Sequence, residues 1–207
     1  KKVVVIQVNG SFFNEDERVF KKMYLNKNIF VVDPEQVRIL AKKRLSHLKK
    51  IEVKRLLPDT LEIEIVSREP VAVLDTSGGI VIDSEGIVLA VGDVPENLPK
   101  IKGLSFFFGR PEKGEKIEKS SLDKGLVLIR GLKNKLQKKH MKLIDYVDIS
   151  DKRNTIIVFG DVVIKMGEDR FSLKIEALKE ILADPNVKLK DIGYIDLRFS
   201  EAVISVK

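Results

Sequence analysis

Between residues 33 and 65 the apolar side chains change their period, and that change restricts the possible folds more than any other feature of the chain. Asp33, Pro34 and Gln36 supply an N-cap, a proline at the first helical position and a capping-box side chain three residues after the cap. Val37, Leu40, Ala41, Leu45 and Leu48 then recur at helical spacing. From Ile51 the period falls to two: Ile51, Val53, Arg55 and Leu57 alternate with Glu52, Lys54 and Leu56. Pro58-Asp59 makes a turn, and Leu61, Ile63 and Ile65 alternate with Glu62 and Glu64. The pattern predicts a helix that runs into a β-hairpin.

Upstream, "VVVIQVN" (residues 3–9) is rich in β-branched residues and stops at Gly10, which reads as a strand. Asn14 is the expected cap of a helix with Glu17 at the capping-box position and Val19, Phe20, Met23 and Tyr24 buried. Residues 1–70 therefore read strand, helix, helix, strand, strand, with the helices on one face of a three-stranded sheet.

From Val71 the pattern is mostly β. "VAVLD", "GIVID" and "IVLAV" are short strands separated by Gly78-Gly79 and by Asp83-Ser84-Glu85-Gly86. After "NLPKIKG" and "SFFFG", residues Ser120, Ser121 and Asp123 introduce a helix carrying Leu122, Leu126, Ile129, Leu132 and Leu136, closed by the basic tail "KNKLQKKHMK". Residues 145–166 return to strands, "SLKIEALKEIL" places Ile175, Leu178 and Leu182 on one side of a helix, and the chain is β again from Ile192. The expected fold class is α+β: a small β-α-α-β-β domain over 1–70, then a mostly antiparallel β domain carrying two helices over 71–207.

Chemistry is sparse. No cysteine is present, which excludes a disulfide framework, a thiol nucleophile and a thiolate metal site. His47 and His140 stand at helix ends without an acid or second histidine at ligand spacing, and "SGGIVIDSEG" fits no phosphate cradle. Asp83 and Glu85 are turn residues. These features predict a non-enzymatic protein with no cofactor and no metal. The net charge of +7 comes from interspersed signs, and the basic tail holds no aromatic side chains for stacking bases, so no nucleic-acid partner is expected. No apolar run is long enough to span a bilayer, and a chain that starts at Lys1 is expected to be a piece of a longer protein.

The segment "SHLKKIEVKRLLPDTLEIEIVSREPVAVL" resembles the second hairpin of a POTRA domain as found in the FtsQ (DivIB) family of bacterial cell-division proteins. Arg55, Pro58, Leu61, Arg68, Pro70, Val71 and Ala72 match the family pattern, while Ser67 stands where an acid is usual. "IDSEGIV", "LPKIKG", Gly167 followed by Lys174, and "IDLRF" at 195–199 fit in the family's order.

The resemblance implies a POTRA domain over 1–70 and an FtsQ-type β domain over 71–207. Both would form the extracytoplasmic, periplasmic part of a single-pass inner-membrane protein whose membrane helix precedes Lys1. It implies a scaffold of the divisome, recruited by upstream division proteins through POTRA positions Lys50, Val53 and Arg55. FtsB- and FtsL-type partners would add a strand along Arg198, Phe199, Ser200, Glu201, Ala202, Val203 and Ile204, with Lys174 as a second cation. In "YIDLRFS" Ile195, Leu197 and Phe199 share one face and Asp196, Arg198 and Ser200 the other. Arg198 is open to pairing with Asp196 or with a partner carboxylate; Phe199 and Val53 are open between contact and core. The rival reading is a POTRA-bearing periplasmic chaperone segment of an outer-membrane assembly or secretion system.

Overall fold

A computed structural model describes residues 2–3, 5–9, 14–45, 47–92, 94–104 and 111–207, with the side chains of 5–9 and 14–16 left out. The chain divides into two compact units, Lys1–Glu69 and Pro70–Lys207. The architecture is α+β, as the periodicity indicates.

In the first unit, β1 (Val5–Asn9), α1 (Asn14–Tyr24), α2 (Pro34–Arg44), β2 (Leu48–Leu56) and β3 (Thr60–Ser67) follow one another. The sheet order is β1-β3-β2, with β1 parallel to β3 and β2 antiparallel to it. The Asp33 carboxylate accepts the Glu35 backbone N–H at 3.0 Å, so one orphan donor of α2 is satisfied where the cap was expected. The capping expectation for Asn14 falls on side chains outside the described residues.

Helix α2 is shorter than its pattern. It stops at Arg44, where Leu45 donates its N–H to the Ala41 carbonyl, and Leu48 already belongs to β2. Only Val37 and Ala41 of α2 are buried, and Leu40 is exposed, because at 100° per residue it lies outside the stripe that faces the sheet. The core gathers Phe20, Tyr24, Ile29, Val37, Ile51, Leu61 and Ile63; each such side chain contributes roughly 1.5–3 kcal/mol on burial.

The second unit contains β4 (Pro70–Leu74), β5 (Ile80–Asp83), β6 (Val88–Val91), β7 (Lys100–Lys102), α3 (Ser120–Lys135), α4 (Lys138–Met141), β8 (Ile144–Asp148), β9 (Thr155–Phe159), β10 (Val162–Gly167), α5 (Phe171–Ala183), β11 (Ile192–Asp196) and β12 (Val203–Val206). "SFFFG" lies outside the described residues. The nine strands form one sheet in the order β12-β11-β10-β9-β8-β7-β4-β5-β6, most neighbours antiparallel. Alternation decides the buried face: Ile157 and Phe159 of β9 and Val162, Ile164 and Met166 of β10 are in the core, where Leu122, Ile129 and Leu132 of α3 and Ile175 and Leu178 of α5 cover them. A β-carbon at Gly131 of α3 would stand 2.5 Å from Ile175 Cδ1, so the glycine lets α5 approach closely.

Two elements depart from their sequence patterns. The helix expected to continue through "KNKLQKKHMK" breaks at Leu136, whose backbone is extended, and resumes as the four-residue α4; the break buries Leu136. The last strand also breaks, at Asp196. There the Asp196 carboxylate accepts the Arg198 backbone N–H at 3.1 Å, a turn that competes with continued extension, and the chain returns as β12 antiparallel to β11. Phe199 is consequently exposed instead of sharing a core face with Ile195 and Leu197.

Candidate partner-binding edge

Strand β12 ends the large sheet, and the register fixes which of its backbone groups are occupied. Leu197 donates its N–H to the Lys165 carbonyl on β10 at 2.9 Å, so Ile195 and Leu197 bond to β10 while Tyr194 and Asp196 face β12; the bulge between Ile192 and Tyr194 changes this parity only below Tyr194. Asp196 is opposite Val203 and Tyr194 opposite Ser205, which directs the backbone of Val203 and Ser205 toward β11. The Lys207 N–H bonds the Asp191 carbonyl at 2.9 Å and keeps the same parity. The backbone groups of Ile204 and Val206 therefore point to the open side, where another strand can bond to them.

Next to this edge, at the ends of β10 and β11, the chain makes two left-handed turns on its way into α5: Gly167 has φ +68° and Arg170 φ +52°. Lys174, in the first turns of α5, reaches back so that its Nζ donates to the Met166 carbonyl at 2.8 Å and lies 3.4 Å from Asp169 Oδ1. Across Gly167 stands Arg198. Its Nε donates to Asp196 Oδ1 at 2.9 Å and its Nη2 to Asp196 Oδ2 at 2.6 Å, a two-pronged, charge-assisted pair.

Asp196 is buried while the guanidinium is partly exposed. The Arg198 side-chain hydrogen bonds hold the Asp196 carboxyl below its ordinary range against the opposing effect of burial, with help from the Arg198 backbone N–H, its charge and Lys165. On the outer face Lys165 Nζ lies 4.4 Å from the Tyr194 ring centroid.

Lys174 and Arg198 border an open cleft of about 440 Å³ that is also lined by Arg170, Leu173, Phe199 and Ala202. Leu173 and Phe199 are exposed, as are Val203, Ile204 and Val206, so apolar surface continues from the cleft onto β12. Glu201 and Ser200 lie in the connecting bend. Of the expected residues, Lys174, Arg198, Phe199, Ser200 and Ala202 line the cleft, Glu201 lies in the bend, and Val203 and Ile204 belong to β12. Sequence reading missed Leu173 and Arg170; the available signal was a leucine off the Ile175–Leu178 stripe of α5.

The three POTRA positions do not converge. Lys50 pairs with Glu52 on one face of β2, whereas Val53 and Arg55 belong to the other by parity. Val53 is half-buried against the core, and Arg55 Nη1 lies 3.4 Å from the Phe30 carbonyl.

A family model described as "Cell division protein FtsQ/DivIB, C-terminal" matches residues 72–198. That span includes Lys174, Asp196 and Arg198 and stops before β12. The chain is similar to the cell division protein FtsQ of Geotalea daltonii, with 31% identity over 168 residues, covering 77% of this chain and 58% of that protein. It is similar to the FtsQ of Syntrophotalea carbinolica at 27% identity over 185 residues, covering 86% and 63%. With the FtsQ of Streptomyces bingchenggensis it shares 30% identity over 80 residues, 38% of this chain and 30% of that one. The chain spans less than two thirds of the length of each of these relatives.

Proposed function

This chain belongs to the FtsQ/DivIB family of cell-division proteins, and from that membership we propose that it acts as a non-catalytic extracytoplasmic scaffold of the divisome. It is held to the inner membrane by a helix preceding Lys1, with a POTRA domain over 1–70 and an FtsQ-type β domain over 71–207. Its partners are FtsB- and FtsL-type division proteins, which add a strand to β12. Upstream division proteins meet the POTRA domain along the edge strand β2, at Lys50 on one face and at Val53 and Arg55 on the other.

The observation that carries this reading is the outward parity of Ile204 and Val206 on a sheet edge lined by exposed apolar side chains. Strand addition draws affinity from main-chain hydrogen bonds and selectivity from the side chains and charges around them. Here Phe199, Ala202, Val203 and Ile204 supply the apolar contacts, Ser200 and Glu201 the polar rim. Arg198 already holds Asp196 and keeps donors for a partner carboxylate, while Lys174, less exposed, adds its charge beneath the cleft. The chaperone reading is not favoured, because more than half of the chain matches the cell-division family.

Calorimetric titration with the extracytoplasmic segment of an FtsB-type partner tests the edge. Arg198→Glu combined with Ile204→Pro is expected to lower affinity at least about tenfold, roughly 1.4 kcal/mol. Unchanged affinity in the double variant sinks the proposed edge.

A further inference from the structure

In the first unit, four large apolar side chains stand in water at one end: Phe30 (64% exposed) and Val31 (78%) from the α1–α2 loop, and Leu56 (43%) and Leu57 (65%) from the end of β2 and the turn after it. The two segments are neighbours, since Arg55 Nη1 lies 3.4 Å from the Phe30 carbonyl. The chain also enters the unit here. Lys2 bridges to Asn28, Val3 donates its N–H to the Lys27 carbonyl at 2.7 Å, and Asn26 donates to the Val3 carbonyl at 2.9 Å.

Three exposed cations belong to the same segments: Lys2, bridged to Asn28, Lys27, three residues before Phe30, and Arg55, which reaches the Phe30 carbonyl. Of the acids close to the apolar group in sequence, Glu35 is paired with Arg38, while Asp33, which caps Glu35, and Asp59 keep their charge, so among the described residues the cations outnumber the unpaired acids by three to two. Bulky apolar side chains at a turn with basic residues around them form the pattern by which a protein surface dips into the boundary between lipid headgroups and acyl chains. We propose that this tip, Phe30, Val31, Leu56 and Leu57, lies in the outer surface of an anionic bilayer and sets the first unit against the membrane. The inference rests on the reading that a membrane anchor precedes Lys1, because Lys2 is bonded to the loop that carries Phe30.

The chain contains no tryptophan, so Phe30→Trp creates a sole reporter. The full chain is tethered through an N-terminal decahistidine to vesicles of phosphatidylglycerol and phosphatidylethanolamine doped with a nickel-chelating lipid, which reproduces an anchor before Lys1. The Phe30→Trp emission is expected to shift to the blue and to be quenched by brominated acyl chains. A Leu143→Trp reporter in the second unit is expected to do neither, and adding Val31→Ser and Leu57→Ser to the Phe30→Trp chain is expected to abolish the shift while leaving its circular-dichroism melt in place. An unshifted emission in the tethered chain overturns the proposal. Partner titration at β12 is done without lipid, so either reading can fail while the other stands.

Discussion

Lys174 of α5 and Arg198 of the bend after β11 both reach Gly167: a β-carbon built there would stand 3.3 Å from Lys174 Nζ and 3.3 Å from Arg198 Cγ. The glycine is at φ +68°, a region that side chains rarely adopt, so crowding and backbone strain act together. Gly167→Ala is expected to destabilise the second unit by about 1–2 kcal/mol. Urea denaturation followed by circular dichroism measures it, and a gain in stability would contradict the placement of the two cations.

The clamp on Asp196 gives stability a defined acid limb. A carboxyl whose titration is depressed in the folded state adds stability that is fully present above the ordinary aspartate value of about 3.9 and is lost as pH falls through the lower folded value. Asp196→Asn removes this contribution. The melting temperatures of parent and variant are expected to differ at about pH 6–7, roughly two to three units above that ordinary value, and to converge as pH drops below it. A constant difference across the acid range would show that the carboxylate charge is not what Arg198 holds.

Neighbouring proline substitutions on β12 are expected to behave differently. The Val203 N–H faces β11, so Val203→Pro removes a ladder bond inside the unit, costing roughly 1–2 kcal/mol with its strain. The Ile204 N–H faces the open side, and Ile204→Pro removes no internal bond. Equilibrium unfolding of the two variants should show the larger loss for Val203→Pro; the reverse order would mean that the parity of β12 is inverted.

Much of the first unit was legible because its signals are local. Asp33 and Pro34 start α2 where cap chemistry says they should, and the alternation from Ile51 to Ile65 fixes the β2–β3 hairpin. What the pattern concealed were breaks that tertiary contacts impose on apolar repeats. Leu136 fits the helical period of α3, yet it is buried by leaving the helix. Asp196 and Arg198 fit an alternating strand, yet their mutual hydrogen bonds turn the chain away from it. The cleft was half visible: Lys174 and Arg198 could be named, but Leu173 depends on how the turn through Gly167 and Arg170 aims α5, and that is a property of backbone geometry.

The nine-stranded sheet depends on one very short strand. β7 is three residues long, Lys100–Lys102, and it alone joins β4-β5-β6 to β8 and the strands beyond, parallel on both sides. The main-chain bonds at that seam include Val73 N–H to the Pro99 carbonyl, Asp75 to Ile101 and Ile149 to Lys102, and amide exchange is expected to separate the strands on its two sides into two groups. A partner strand added to β12, as proposed above, is expected to protect the amides of β8–β12 and to leave exchange in β4–β6 unchanged.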